Sequence, residues 1–268
     1  MRHAAASVLT LAEPDAKRRQ ARAVAAAWRS GALSGPGADP VRLPERPARP
    51  DRPEQVAPGK VRRRRLTHQA GRFALLHAVG HIEFNAIDLA FDMAARFGSD
   101  PRLPAARRKA FISDWLSVGD DEARHFQLVS ERLKALGGAY GDLPAHDGLW
   151  AAAEATSDDM AARLAVAPMV LEARGLDVTP GMIDRLNSVG DADSAAVLAI
   201  IYREEIGHVA AGRRWFDVVC NSEGRNAQDH FQTLVRQRFK GLLKPPFNQA
   251  ARASAGLPAS FYEPLASR

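Results

Sequence analysis

Two Glu-x-x-His motifs carry the chemistry of this chain, Glu122-Ala-Arg-His125 and Glu205-Ile-Gly-His208. Residues three apart share a helix face, so each motif aims one carboxylate oxygen and one imidazole nitrogen at a common point. With 12 Glu and 8 His spread over 268 residues, chance supplies roughly a third of one such match, so the position on the helix has to decide. Glu122 and His125 continue the apolar stripe Phe111, Trp115, Val118 and lead into Val129, Leu133 and Leu136. Glu205 and His208 fall between Leu198, Ile201 and Gly212, Trp215, Val219. Steps of three and four mark the core-facing side of a helix. Glu204 competes with Glu205, but only Glu205 has a histidine three residues on.

Two more carboxylates fall on inward stripes. Glu83 lies among Phe73, Leu76, Gly80, Ile87, Phe91 and Ala94, and Glu172 is bracketed by Ala161, Ala165, Pro168 and Leu176. An ionised carboxylate buried without a partner costs several kcal/mol, so something must compensate all four. Four carboxylates and two imidazoles around one point suit two divalent cations. The expected ligand set is therefore Glu83, Glu122, His125, Glu172, Glu205 and His208. Asp88 and Asp121 are candidates to orient the ligand histidines by accepting their outer N–H. His81, with His77 nearby, is either a polar partner behind the ligands, a gate at the rim, or a satisfied core histidine. No residue is assigned a catalytic role.

The elements that must hold these residues are helical, with breakers between them. Long helices are expected at about 67–97, 103–136, 149–174 and 191–220, with Gly98, Gly137-Gly138 and Gly175 as stops and Thr179-Pro180 opening a further short helix. Pro168 removes a backbone donor one turn before Glu172, which predicts a kink there that either opens room beside the metals or is a tolerated bend. Trp115, Trp215 and Phe126 are read as core, with electron transfer to the metals as the alternative. Glu83 precedes its Glu-x-x-His by 39 residues and Glu172 precedes its own by 33, so two helical hairpins each offer half a site. Around them the chain divides into 1–65, an N-terminal helix at 13–28 followed by a Pro- and Arg-rich strap; 66–221, the bundle; and 222–268, an extension expected to lie over it.

This ligand arrangement resembles that of the ferritin-like di-iron carboxylate proteins, which take one Glu from each of two helices and Glu-x-x-His from each of two others. The resemblance implies an all-α, ferritin-like four-helix bundle with helical and irregular extensions, holding two iron ions, with manganese or a mixed Fe/Mn pair as alternatives. More narrowly, His77-Ala-Val-Gly-His81-Ile-Glu83-Phe-Asn-Ala-Ile-Asp88-Leu, Asp121-Glu-Ala-Arg-His125-Phe and Lys244-Pro-Pro-Phe-Asn248 resemble the ferritin-like DUF455 family over about residues 60–265. The activity of that family is undefined, so this second likeness bears on the site and not on the reaction.

Composition narrows the partners. Apolar residues at 46% and charged residues at 25% are ordinary for a globular protein. The single Cys220 excludes an internal disulfide framework and suits a reducing cytoplasm. No apolar run approaches the roughly 20 residues of a membrane span. Much of the net charge of +6 sits before residue 66, ending in the basic arm 60–65. That arm is read as solvated, with nucleic acid the alternative partner. The expected function is a di-iron oxidoreductase activating O₂ or peroxide, with an oxygenase or hydroxylase of an organic substrate as its narrower form, and a homodimer is expected. Iron storage or detoxification, or a non-catalytic metal-stabilised interaction protein, are the other readings.

Overall fold

Helix signals in this sequence are strong enough that the chain is helical almost from its first residue. A computed structural model describes residues 1–35, 41–57, 60 and 65–266. Helices α1 (Arg2–Leu9) and α2 (Pro14–Arg29) come first. The Glu13 carboxylate caps α2 by accepting from the amides of Asp15 and Ala16, and Pro14 sits in the first turn, where its missing N–H costs nothing. Next come α3 (Gln69–Phe97), α4 (Arg108–Ala135) and the short α5 (Gly148–Glu154). The third long rod is composite: α6 (Met160–Val166), a π-helical stretch (Ala167–Glu172) and α7 (Ala173–Ser188). Helix α8 (Ala192–Ser222) is followed by α9 (Ala227–Arg238), α10 (Gln249–Ser254) and α11 (Ala259–Tyr262). Among the described residues the fold is all-α, with only two isolated β-bridges.

Helix α3 packs along α4 and α7 along α8, while α4 and α6 also meet α8. One apolar cluster joins α1 to α4, α6, α8, α9 and α11. Trp115, Trp215 and Phe126 are buried in it. Helix α2 lies on α4 and α1 on α3, and α9 and α10 cover α6, α7 and α8. Helix α1 was not anticipated; its alanine-rich run carries Val8 and Leu9, both fully buried.

The strap between α2 and α3 is irregular, as its prolines require, and is anchored by polar bonds. The Ala48 amide donates to the Leu9 carbonyl at 2.7 Å. Arg49 donates to Asp88 and Asn85, and the Trp150 indole N–H donates to the Glu45 carbonyl. Residues 61–64 of the predicted basic arm lie outside the described residues. Among the described residues no helix is long and apolar enough to cross a membrane.

The third rod departs from the reading of the sequence. It starts at Met160, where the Asp159 carboxylate accepts from the Ala161 amide, and runs through Gly175 and Pro180 to Ser188. Gly175 does not take the left-handed conformation that would end a helix. Pro180 lacks the N–H that would bond the Leu176 carbonyl. That carbonyl accepts instead from Asn248 Nδ2 at 3.2 Å, so the Lys244-Pro-Pro-Phe-Asn248 segment mends the helix that Pro180 interrupts.

The π-helical stretch explains the geometry near Pro168. A proline inside a helix pushes away the carbonyl one turn back, and a widened turn relieves the clash. Helix α8 makes room with Gly212, where an added Cβ would stand 2.5 Å from both Cβ and Cγ of Pro168. Gly212→Ala is therefore expected to force the π stretch off α8. Overpacking of about 1–3 kcal/mol outweighs the gain of up to ~1 kcal/mol in helix propensity. Glu172, at the end of the stretch, shifts with it. Urea denaturation should show a net loss of about 1 kcal/mol. Unchanged or raised stability would mean that this contact does not set the packing of the π stretch on α8.

Candidate metal centre

Six side chains converge where α3, α4, the third rod and α8 face one another. Glu83 on α3, Glu122 and His125 on α4, and Glu205 on α8 bring one ligand atom each within 4.8 Å of one another. Here the cluster offers ligand atoms for a metal ion. His208 stands directly beside it, with Nδ1 3.0 Å from Glu122 Oε1 and 3.5 Å from Glu205 Oε2. Glu172 shares one cavity wall with Glu83, Glu122 and Glu205.

The donors do not satisfy one another. His125 Nδ1 lies 3.2 Å from Glu83 Oε2 and 3.4 Å from Glu122 Oε2, close enough for charge attraction. Yet Glu83 Oε2, both oxygens of Glu122, His125 Nδ1, Glu172 Oε2, Glu205 Oε2 and His208 Nδ1 are all buried without a hydrogen-bond partner. Buried polar atoms are nearly always paired, and these are close together yet misaligned for bonding. They point at shared space and fit a bound cation.

Electrostatics says the same. Burial, and then the charge of Glu122, pushes the Glu83 carboxyl well up; burial with Glu205 and Glu122 does the same to Glu172. Burial and Glu122 also raise Glu205. Glu122 behaves oppositely: against burial, His208 and His125 hold it well below the usual carboxylate range. Against burial, Glu122 and Glu83 lift His125 to about 11, and Glu205 and Glu122 lift His208. Without a cation, protons crowd into the site to balance its carboxylates.

Behind the ligands the two motifs exchange support. His125 turns its outer Nε2 to Glu204 Oε2 at 2.6 Å. His208 turns its Nε2 toward Asp121 Oδ2 at 3.6 Å, an ion-pair rather than a hydrogen-bond distance. Thus the acid preceding each motif's Glu faces the histidine of the other helix, and Arg124 bonds both acids. A carboxylate behind an imidazole fixes its orientation and raises its basicity as a ligand. Glu204 is the site residue the sequence reading set aside. The available signal was the acid doublet itself, Asp121-Glu122 and Glu204-Glu205.

Two of the expected supporting residues do other work. Asp88 is fully buried but its oxygens accept from Lys17 Nζ at 2.5 Å and Arg49 Nη1 at 2.7 Å. It anchors α2 and the strap to α3 and reaches neither ligand histidine, because it lies more than a turn beyond Glu83. His81 Nδ1 meets the Tyr140 hydroxyl at 2.9 Å, in an aromatic group with His77, Phe84 and Phe126.

His77 gives a pH dependence. Its Nε2 accepts from the Gly141 amide at 2.9 Å, which only the neutral ring can do, and burial lowers its pKa to about 4. Free histidine titrates near 6.5, so as pH falls below 6.5 the unfolded chain takes up this proton first. The stability tied to neutral His77 is complete above pH 6.5 and is lost as pH falls toward 4. In urea titrations between pH 4.5 and 6.5, His77→Asn should reduce the slope of stability against pH by up to one proton. An identical slope would show that His77 is protonated in the fold.

Similarity to known proteins places the chain in a family without naming an activity. The family described as "Protein of unknown function (DUF455)" matches residues 10–263. An uncharacterized protein of Haemophilus influenzae is 43% identical over 207 residues, covering 77% of this chain and 72% of that protein. No solved structure matches the chain.

Proposed function

The chain belongs to the DUF455 family, and since that family brings no activity with it we propose one from the site: a di-metal oxidoreductase that activates O₂ or peroxide to oxidise an organic substrate. In this reading the four long rods are a ferritin-like four-helix bundle, and the metals are two iron ions or an iron–manganese pair. Glu83, Glu122, His125 and Glu205 would hold metal first, their ligand atoms lying within 4.8 Å of one another, and Glu172 and His208, at the edge of that group, would complete the set for two ions. The observation that carries the reading is the set of buried, unpartnered donor atoms on four rods.

When bound, two ferrous ions supply electrons and open coordination positions for dioxygen. The chain's own residues do the rest. Glu204 holds His125 with Nδ1 inward, and Asp121 faces the outer Nε2 of His208 at ion-pair distance. Leu198 and Ile201 set an apolar wall against the carboxylates. The carboxylate side faces a cavity of about 180 Å³, which leaves room for a reactant and argues against a closed structural site.

The test is oxygen uptake by the anaerobically ferrous-loaded protein. The expected result is rapid uptake that stops at two irons oxidised per chain and is lost in Glu172→Ala. Uptake no faster than that of free ferrous iron would overturn the reading. Continued deposition of many irons per chain would support storage instead.

A further inference from the structure

We propose that the cavity beside the metal ligands binds an uncharged, apolar organic molecule about the size of one six-membered ring or a chain of six to eight carbons. This rests on the di-metal reading above and names the substrate class of that site. The cavity walls come from four helices: Val79, Ile82 and Ala86 on α3, Leu149 on α5, Val178 and Met182 on α7, and Leu198 and Ile201 on α8. Its inner end is formed by the carboxylates Glu83, Glu122, Glu172 and Glu205, and neither ligand histidine lines it. An occupant therefore lies against the carboxylate side of the centre, away from the imidazoles and their supporting acids.

Size and polarity follow from the lining. A cavity of 150 Å³ lined by aliphatic and aromatic side chains is known to stay dry and take up benzene, and this one measures about 180 Å³. Dioxygen alone would leave most of it empty. Among the described residues Arg174 is the one cation of the wall, and its Nη1 is engaged by the carbonyls of Lys244 at 2.7 Å and Pro246 at 3.3 Å and by Asp177. Among the described residues no other cationic side chain of the wall can meet a carboxylate or phosphate, and the rest of the wall away from the inner end is almost wholly aliphatic. Ile82, half exposed at the surface, marks the way in.

The experiment uses the full chain with fluorobenzene as probe, followed by its fluorine resonance in zinc-loaded and manganese-loaded protein. The expected result is saturable binding at one site, with line broadening by manganese beyond that in the zinc form. Val178→Trp and Met182→Trp, both at half-buried wall positions, should weaken binding at least tenfold and leave metal content unchanged. Sodium octanoate should fail to displace the probe. Absent binding, binding undiminished in both variants, no added broadening by manganese, or ready displacement by octanoate would each overturn the proposal. Failure of the two readings can be told apart. Normal metal loading without probe binding removes the substrate class alone. Probe binding that is blocked by Val178→Trp in a chain that loads no metal keeps the ligand class and removes the di-metal reading.

Discussion

On the proposed di-metal reading, replacing Glu122 by alanine is expected to empty the centre of both metals. Its two oxygens are buried and unpartnered, and they reach His208 at 3.0 Å and His125 at 3.4 Å. It comes within 3.4 Å of both imidazoles, so on the proposed reading both ions would lose a ligand at once. Changing even an outer partner of a metal ligand costs about 10–100-fold in affinity, and loss of a shared ligand must exceed that. Bound metal should fall from two per chain to a small fraction of one at micromolar metal. Glu122→Gln keeps the volume and removes the charge, and it should lose metal nearly as fully. If the glutamine variant binds as the native chain does, the carboxylate is not a ligand. Circular dichroism on the same samples separates lost metal from a lost fold.

Asp88→Ala is expected to cost about 3–5 kcal/mol, the range for removing one partner of a buried ion pair. Lys17 and Asp88 both have fully buried side chains. Burial pulls the Lys17 amine down and pushes the Asp88 carboxyl up; Lys17 and Arg49 hold Asp88 charged, while Asp88 holds Lys17 charged against the repulsion of Arg49. Without Asp88 the Lys17 charge is stranded under α2, and the contact that ties α2 to α3 is lost. Replacing the pair together, Lys17→Met with Asp88→Leu, should restore most of the stability, because a well-packed apolar pair avoids the desolvation cost. Urea denaturation of the single and double variants measures this. Metal content per folded chain should not change in any of them, whereas a residue orienting a ligand histidine would lower it. Parallel loss of stability and metal would return Asp88 to the centre.

That contrast shows what the sequence conveys and what it withholds. The six proposed ligands were legible because each sits on a stripe of apolar residues stepping by three and four, a pattern local to one helix. Glu204 was not legible. Its histidine lies on another helix, and spacing within one helix does not encode a pairing across two. Asp88 misled for the same reason, since its partners come from 39 and 71 residues earlier in the chain. The third rod was misplaced because Gly175 and Pro180 are read as breakers wherever they stand. Their effect is cancelled by a distant residue, Asn248, and by the glycine on α8 that admits Pro168. The family likeness was visible in the same motifs, but it carries no chemistry of its own.

The central claim is that the chain holds two metal ions, and the direct measurement is elemental analysis of the native protein after anaerobic loading with ferrous iron and removal of free metal. About two iron or manganese ions per chain, lost in Glu122→Ala and His208→Ala, is the predicted result. No retained transition metal, or one that both variants retain equally, would contradict the account and leave the six convergent side chains without their cation.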